Sequence, residues 1–157
     1  MKERRAFSLA ELVAAFAIIA VLTGCAALLY RVHSVTVEEG ADELAAWVLE
    51  KTVRAQLEES AFSIQVPTGP KKSGNPVTLY WLSGRNKDKQ ETYRADGVVI
   101  YDISNVGANI KKTFSGEWQT MTPAATICVE PPLRVGKKLY VIISGAGMVR
   151  VSNTRGD

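Results

Sequence analysis

Histidine and cysteine are nearly missing from this 157-residue chain: His33 stands alone, and Cys25 and Cys128 are the two thiols. A single histidine removes most nucleophile–histidine triads and histidine-based metal sites. His33 has no other residue at ligand spacing and reads as solvated. There is no Cys-x-x-Cys pair, no phosphate-binding glycine loop ahead of a helix, and no Asp-rich calcium loop. The sequence therefore points to no enzyme, no cofactor and no metal site. Proline is absent before Pro67, so the first 66 residues are free to be helical. No internal repeat is visible, and the nearest approach to low complexity is the short stretch 67–76. Charge is the most informative absence: from Leu12 to Tyr30, 19 positions, there is none.

At about 1.5 Å per residue those 19 positions make a helix about 29 Å long, enough to cross a bilayer core of about 30 Å. Lys2, Arg4 and Arg5 lie before the run and only Arg31 follows it closely. The positive-inside bias puts the N-terminus in the cytoplasm and everything after Tyr30 outside. The two cysteines then fall on different sides of a membrane boundary, and no internal disulfide is expected.

Three kinds of N-terminal segment compete for this pattern. A secretory signal peptide has a shorter apolar core and a small-x-small cleavage site; the long run with Glu11 near its start fits it poorly. Leu22-Thr23-Gly24-Cys25 resembles a lipobox, with Cys25 as the lipid-bearing residue. Against it, Ala26-Ala27-Leu28-Leu29-Tyr30 continues the apolar pattern where a polar tether belongs. The third pattern is carried by Arg5-Ala6-Phe7-Ser8-Leu9-Ala10-Glu11-Leu12-Val13, followed by the apolar run through Leu22. This string resembles the leader of type IV prepilins and pseudopilins: a short basic leader, a small residue, then Phe-Ser/Thr-Leu-x-Glu opening a long apolar helix.

That resemblance implies a prepilin peptidase cutting between Ala6 and Phe7 and methylation of the new N-terminus at Phe7. It also implies that Glu11 neutralises the terminal amine of a neighbouring subunit during assembly. An ionisable group in a membrane segment is costly and functional by default, which agrees. The family usually has Gly before the cut; Ala6, the next smallest residue, implies slower processing. The implied organisation is a leader at 1–6, a transmembrane helix segment at 7–30, and an extracytoplasmic region at 31–157.

Past Tyr30 the chain stays suited to helix, with no proline and one glycine, Gly40, between residues 38 and 61. At 100° per residue, Glu43, Glu50, Lys51, Arg54 and Glu58 share one sector. Leu44, Ala45, Ala46, Val48, Leu49, Val53, Ala55 and Leu57 fill the rest and are expected to face a core or neighbouring stalks. Trp47 falls in the charged sector, where it covers its own helix or meets another subunit. The β-branched stretch 31–37 forms helix weakly and is a candidate bend.

Short strands are read at 62–66, 77–82, 93–95, 98–103, 126–129, 138–143 and 148–151. Asp96-Gly97 and Ser144-Gly145-Ala146-Gly147 mark two hairpins. Helix first and strands after gives α+β: a long N-terminal helix, membrane-spanning then amphipathic, packed on an antiparallel β head in the manner of a pilin.

Charge divides along the chain. Residues 31–61 carry 3 basic and 7 acidic side chains, and residues 62–157 carry 13 basic and 7 acidic. A basic head over an acidic stalk suits ordered contact between copies or an anionic partner. Lys111, Lys112, Lys137, Lys138, Arg150 and Arg155 are the candidate contacts. Gly147-Met148-Val149-Arg150 partly matches a Gly-Arg-x-Arg element of DNA-uptake minor pilins, lacking its first arginine.

The leading expectation is a structural minor pilin or type II secretion pseudopilin in the inner membrane. Its implied partners are other pilin subunits, a prepilin peptidase, a membrane assembly platform and membrane lipid. A DNA-capturing minor pilin and a lipoprotein anchored at Cys25 are the alternatives.

Overall fold

The computed structural model describes residues 9–69, 76–104 and 111–155, with side chains for all of these but 30–35. Ala6, Phe7 and the side chain of His33 lie outside that range. The first helix, α1, covers Leu9–Leu57. By contact density the chain forms two units, Met1–His33 and Ser34–Asp157. The β-branched stretch 31–37 is helical; with no proline in it, its low propensity costs only fractions of a kcal/mol per residue.

In the second unit α1 is followed by nine strands: β1 Ala61–Gln65, β2 Val77–Trp81, β3 Gln90–Tyr93, β4 Val99–Asp102, β5 Lys112–Ser115, β6 Thr120–Thr122, β7 Ala125–Glu130, β8 Leu139–Ile143 and β9 Val149–Ser152. They form a five-stranded sheet in the order β3-β2-β1-β5-β6 and a four-stranded sheet in the order β4-β7-β8-β9. Every strand pairing described is antiparallel. The fold is α+β, as the order of helix and strands implies.

The helix seals both sheets along one stripe. Val37, Ala41, Leu44, Val48, Lys51, Thr52 and Ala55 are buried, at spacings of three and four, which keeps them on one face. The wide apolar arc read from the sequence needs correction. Leu49, Val53 and Leu57 are 49%, 44% and 82% exposed, and Ala46 is exposed beside them. The sheets meet the helix where the apolar arc borders the charged sector, because sheet residues there satisfy the charges. Lys51 Nζ reaches Glu91 Oε2 at 2.8 Å and Glu50 Oε1 at 2.8 Å. Asn86 Nδ2 donates to Glu58 Oε2 at 3.1 Å. Gly40 lies on the same side: a Cβ there would stand 3.1 Å from Val98 Cγ2.

Trp47 packs against its own chain. It is half-buried, with its ring 5.7 Å from that of Tyr93 and Lys51 Nζ 5.9 Å from its centroid. Aromatic residues also tie the first sheet together. Phe62 faces Trp81 on one side and Phe114 on the other, at centroid distances of 5.7 and 5.2 Å.

Two further expectations change. Asp96-Gly97 is a turn, with Gly97 at φ 77°, but it joins no hairpin: β3 edges one sheet and β4 edges the other. Turn chemistry reverses the chain without choosing its pairing partner. Here Val98, Val99 and Ile100 are drawn into the core instead. Strands β5 and β6 were not legible at all, since Lys112-Thr113-Phe114-Ser115 and Thr120-Met121-Thr122 contain one large apolar residue each. β5 pairs with β1, through Phe62↔Phe114, and β6 pairs in turn with β5, through Phe114↔Met121. The loop after Ser144 is a hairpin as read, with Ile143 opposite Val149 and Gly147 N donating to Ser144 O at 2.9 Å.

Candidate membrane anchor and assembly site

The apolar segment Leu9–Leu29 is helical over 21 residues with a mean hydropathy of 2.6, and none of it is buried within the fold. At about 1.5 Å per residue it measures about 30 Å, the thickness of a bilayer core. Leu9, Phe16, Val21, Leu22, Leu28 and Leu29 all present most of their side chains outward. Water-soluble monomers rarely expose so large an apolar surface. The only polar side chains among Leu12–Leu29 are Thr23 and Cys25; Thr23 Oγ1 donates back to Ile19 O at 2.8 Å and so hides its hydroxyl. Cys25 is exposed in mid-helix, and helix continues past it. Glu11 lies in the first turn of α1, where a carboxylate complements the helix dipole.

A second apolar surface lies on the head. Ala46, Leu49, Val53 and Leu57 recur at intervals of three and four along the outer face of α1. The sequence contains this signal, in the same apolar arc whose partner is a core or neighbouring stalks.

The basic residues of the head are dispersed. Lys137 Nζ pairs with Glu38 Oε1 at 2.5 Å, and Lys138 Nζ with Glu130 Oε2 at 2.8 Å. Arg155 Nη2 donates to Ile103 O at 3.1 Å. Arg150 is exposed on β9 opposite Ile142, four strand positions from Lys138, or roughly 13 Å. Lys112 is buried, not available to a ligand: its ammonium meets Asp102 Oδ2 at 2.8 Å and the Ser104 hydroxyl. Lys111 is exposed beside it. Of these positions Lys112 is interior, and Lys137, Lys138 and Arg155 have partners within the head.

Burial raises the pKa of the Cys128 thiol, and the negative charge of Glu130 adds to this. Burial would likewise lower Lys51, but hydrogen bonds to Glu50 and Glu91 outweigh it and leave the amine above its usual range. Both shifts arise from burial and from neighbouring groups within the head. Among the described residues no three His, Cys, Asp or Glu side chains gather as a metal site.

The fold has solved counterparts. Two crystal forms of the type IV minor pilin FimU from Pseudomonas aeruginosa strain PAO1 superimpose on it. One has a TM-score of 0.54 and 18% identity, covering 73% of this chain and 91% of that one. The other has a TM-score of 0.53 and 20% identity, covering 74% and 87%. Neither a family model nor a curated relative matches the sequence. With its apolar N-terminal helix and a head of antiparallel sheets closed by the rest of α1, this chain has a type IV pilin-like fold.

Proposed function

We propose that this chain is a structural subunit, a minor pilin or pseudopilin, of a type IV pilus or type II secretion pseudopilus. The observation that carries this is the pairing of a pilin-like head with a 21-residue apolar helix that the fold leaves wholly uncovered. Such a helix suits two environments in turn: the lipid of the inner membrane before assembly, and the packed helices of a filament afterwards. The stripe Ala46–Leu49–Val53–Leu57 adds an apolar surface on the head that a neighbouring subunit can cover.

In this reading a prepilin peptidase cuts between Ala6 and Phe7 and methylates Phe7. The chain waits with its N-terminus in the cytoplasm and its head outside until a membrane assembly platform extracts it. Glu11 then neutralises the amine of a neighbour's Phe7. Leaving that charge unpaired at membrane depth costs on the order of a few kcal/mol.

N-terminal mass mapping of the membrane-extracted protein tests the processing step. The expected terminus is N-methyl-Phe7. A lipid-modified terminus at Cys25 would replace this proposal with the lipoprotein. In the same cells Glu11→Ala is expected to be cleaved normally yet to be missing from sheared filaments. Full incorporation of Glu11→Ala would remove the pairing role.

A further inference from the structure

The loop joining β7 to β8 sets two exposed aliphatic side chains among three cations. Leu133 and Val135 are 74% and 69% exposed. Between and after them stand Arg134, Lys137 and Lys138. The loop has a defined shape: Arg134 N donates to Pro131 O at 2.9 Å, closing a turn over Pro132 and Leu133. Arg134 Nε and Lys138 Nζ both approach Glu130, at 3.7 and 2.8 Å. Glu130 itself is fully buried. The carboxylate thus anchors two cations from beneath while their outer sides stay in water. Glu130 also holds the Lys138 ammonium above its usual pKa, so it stays charged at neutral pH.

The loop's position is set by Lys137, which pairs with Glu38. Glu38 is nine residues beyond Leu29, the end of the apolar segment. Nine residues span at most roughly 30 Å in any conformation, so the chain length puts Glu38 within that reach of any membrane that segment crosses. Other exposed apolar residues on turns, Trp118 and Met148, belong to the end of the head where Gly116 meets the carbonyls of Ala55 and Ser60. There the neighbouring charges are Glu117 and the single exposed cation Arg150.

We propose that residues 131–138 form a lipid contact: Leu133 and Val135 enter the interfacial zone of an anionic leaflet, and Arg134, Lys137 and Lys138 engage its headgroup phosphates. The inference rests on the membrane-anchored reading of Leu9–Leu29. Aliphatic tips set among cations suit that zone, because the tips leave water while long basic side chains reach the phosphates. A basic side chain near an anionic surface contributes about fivefold in partitioning. Tethering multiplies weak contacts of this kind by making them intramolecular. The contact would hold the head against the membrane before assembly and release it on extraction.

The test uses the full chain in nanodiscs of phosphatidylcholine alone or with about one-third phosphatidylglycerol. Size exclusion reports whether protein travels with the disc, and hydrogen exchange reports the loop. The expected result is co-migration in both discs, with amides of 133–138 exchanging about tenfold slower in the anionic one. The protection should vanish in Leu133→Ser/Val135→Ser while exchange in β7 and β8 is unchanged. Equal exchange in both discs, with protein on the disc, overturns the lipid contact and leaves the anchor standing. Slowing by an added DNA oligonucleotide but not by anionic lipid also overturns it, in favour of a nucleic-acid surface. Protein that does not travel with discs overturns the anchor and this inference together.

Discussion

Leu44 and Leu49 are chemically identical residues five positions apart on one helix, and the fold assigns them opposite worth. Leu44 is fully buried in the seam between α1 and the sheets, whereas Leu49 is 49% exposed on the outer face. Leu44→Ala removes buried carbon and leaves a cavity that the paired strands around it cannot collapse, at a cost of about 2–5 kcal/mol. Leu49→Ala removes surface that is already half in water and leaves no cavity, so its cost is under about 1 kcal/mol. The head of a domain with about 5–15 kcal/mol of stability would feel the first strongly and the second hardly at all. Urea titration of the full chain in mild detergent, read by tryptophan fluorescence, separates them. Trp81 is buried at 1% exposure and Trp47 is half-buried against Tyr93, so both report unfolding of the head. Leu44→Ala should lower the midpoint by roughly 1 M or more without changing the slope. Equal shifts for the two variants, or a larger one for Leu49→Ala, would refute the placement of the helix face.

Two other perturbations probe the head's charges. Lys112→Met leaves Asp102 buried without its cation and should cost about 3–5 kcal/mol. Lys112→Met/Asp102→Leu should recover most of that in the same titration; a double variant as unstable as the single would show that the pair is not the source. Glu91 sits below its usual pKa of 4.5. Burial pushes it up, but hydrogen bonds from Lys51 and Trp81 and the charges of Lys51 and Arg54 push it further down. A lowered folded pKa means stability that is present above pH 4.5 and lost as pH falls through the folded value. Midpoints measured from pH 7 downward should therefore fall less steeply below pH 4.5 in Glu91→Gln than in wild type, and identical slopes would exclude Glu91 from acid unfolding.

The sequence by itself determined the class of this protein, through features whose physics is local. An uncharged run from Leu12 to Tyr30 is long enough to cross a bilayer as helix, and none of Leu9–Leu29 is buried among the described residues. Helix first and short strands after it imply α+β in that order. Turn chemistry located the hairpin at 144–147. Tertiary structure decided whatever depends on which surfaces meet. A helical wheel shows Leu44 and Leu49 in one apolar arc, and only the approach of Glu91, Asn86 and Val98 selects the side that is buried. Asp96-Gly97 looks like any hairpin turn until β3 and β4 pair in different sheets. Strands β5 and β6 exist because Phe114 has Phe62 to lie against, a partner 52 residues away in sequence. The same distance explains the basic residues. Lys112 and Lys137 look alike in a composition count, but Asp102 takes one into the interior while Glu38 pairs with the other at the exposed surface. A local pattern fixes how a residue repeats along the chain; burial and pairing are properties of two segments at once, and these emerge only when the segments have found each other.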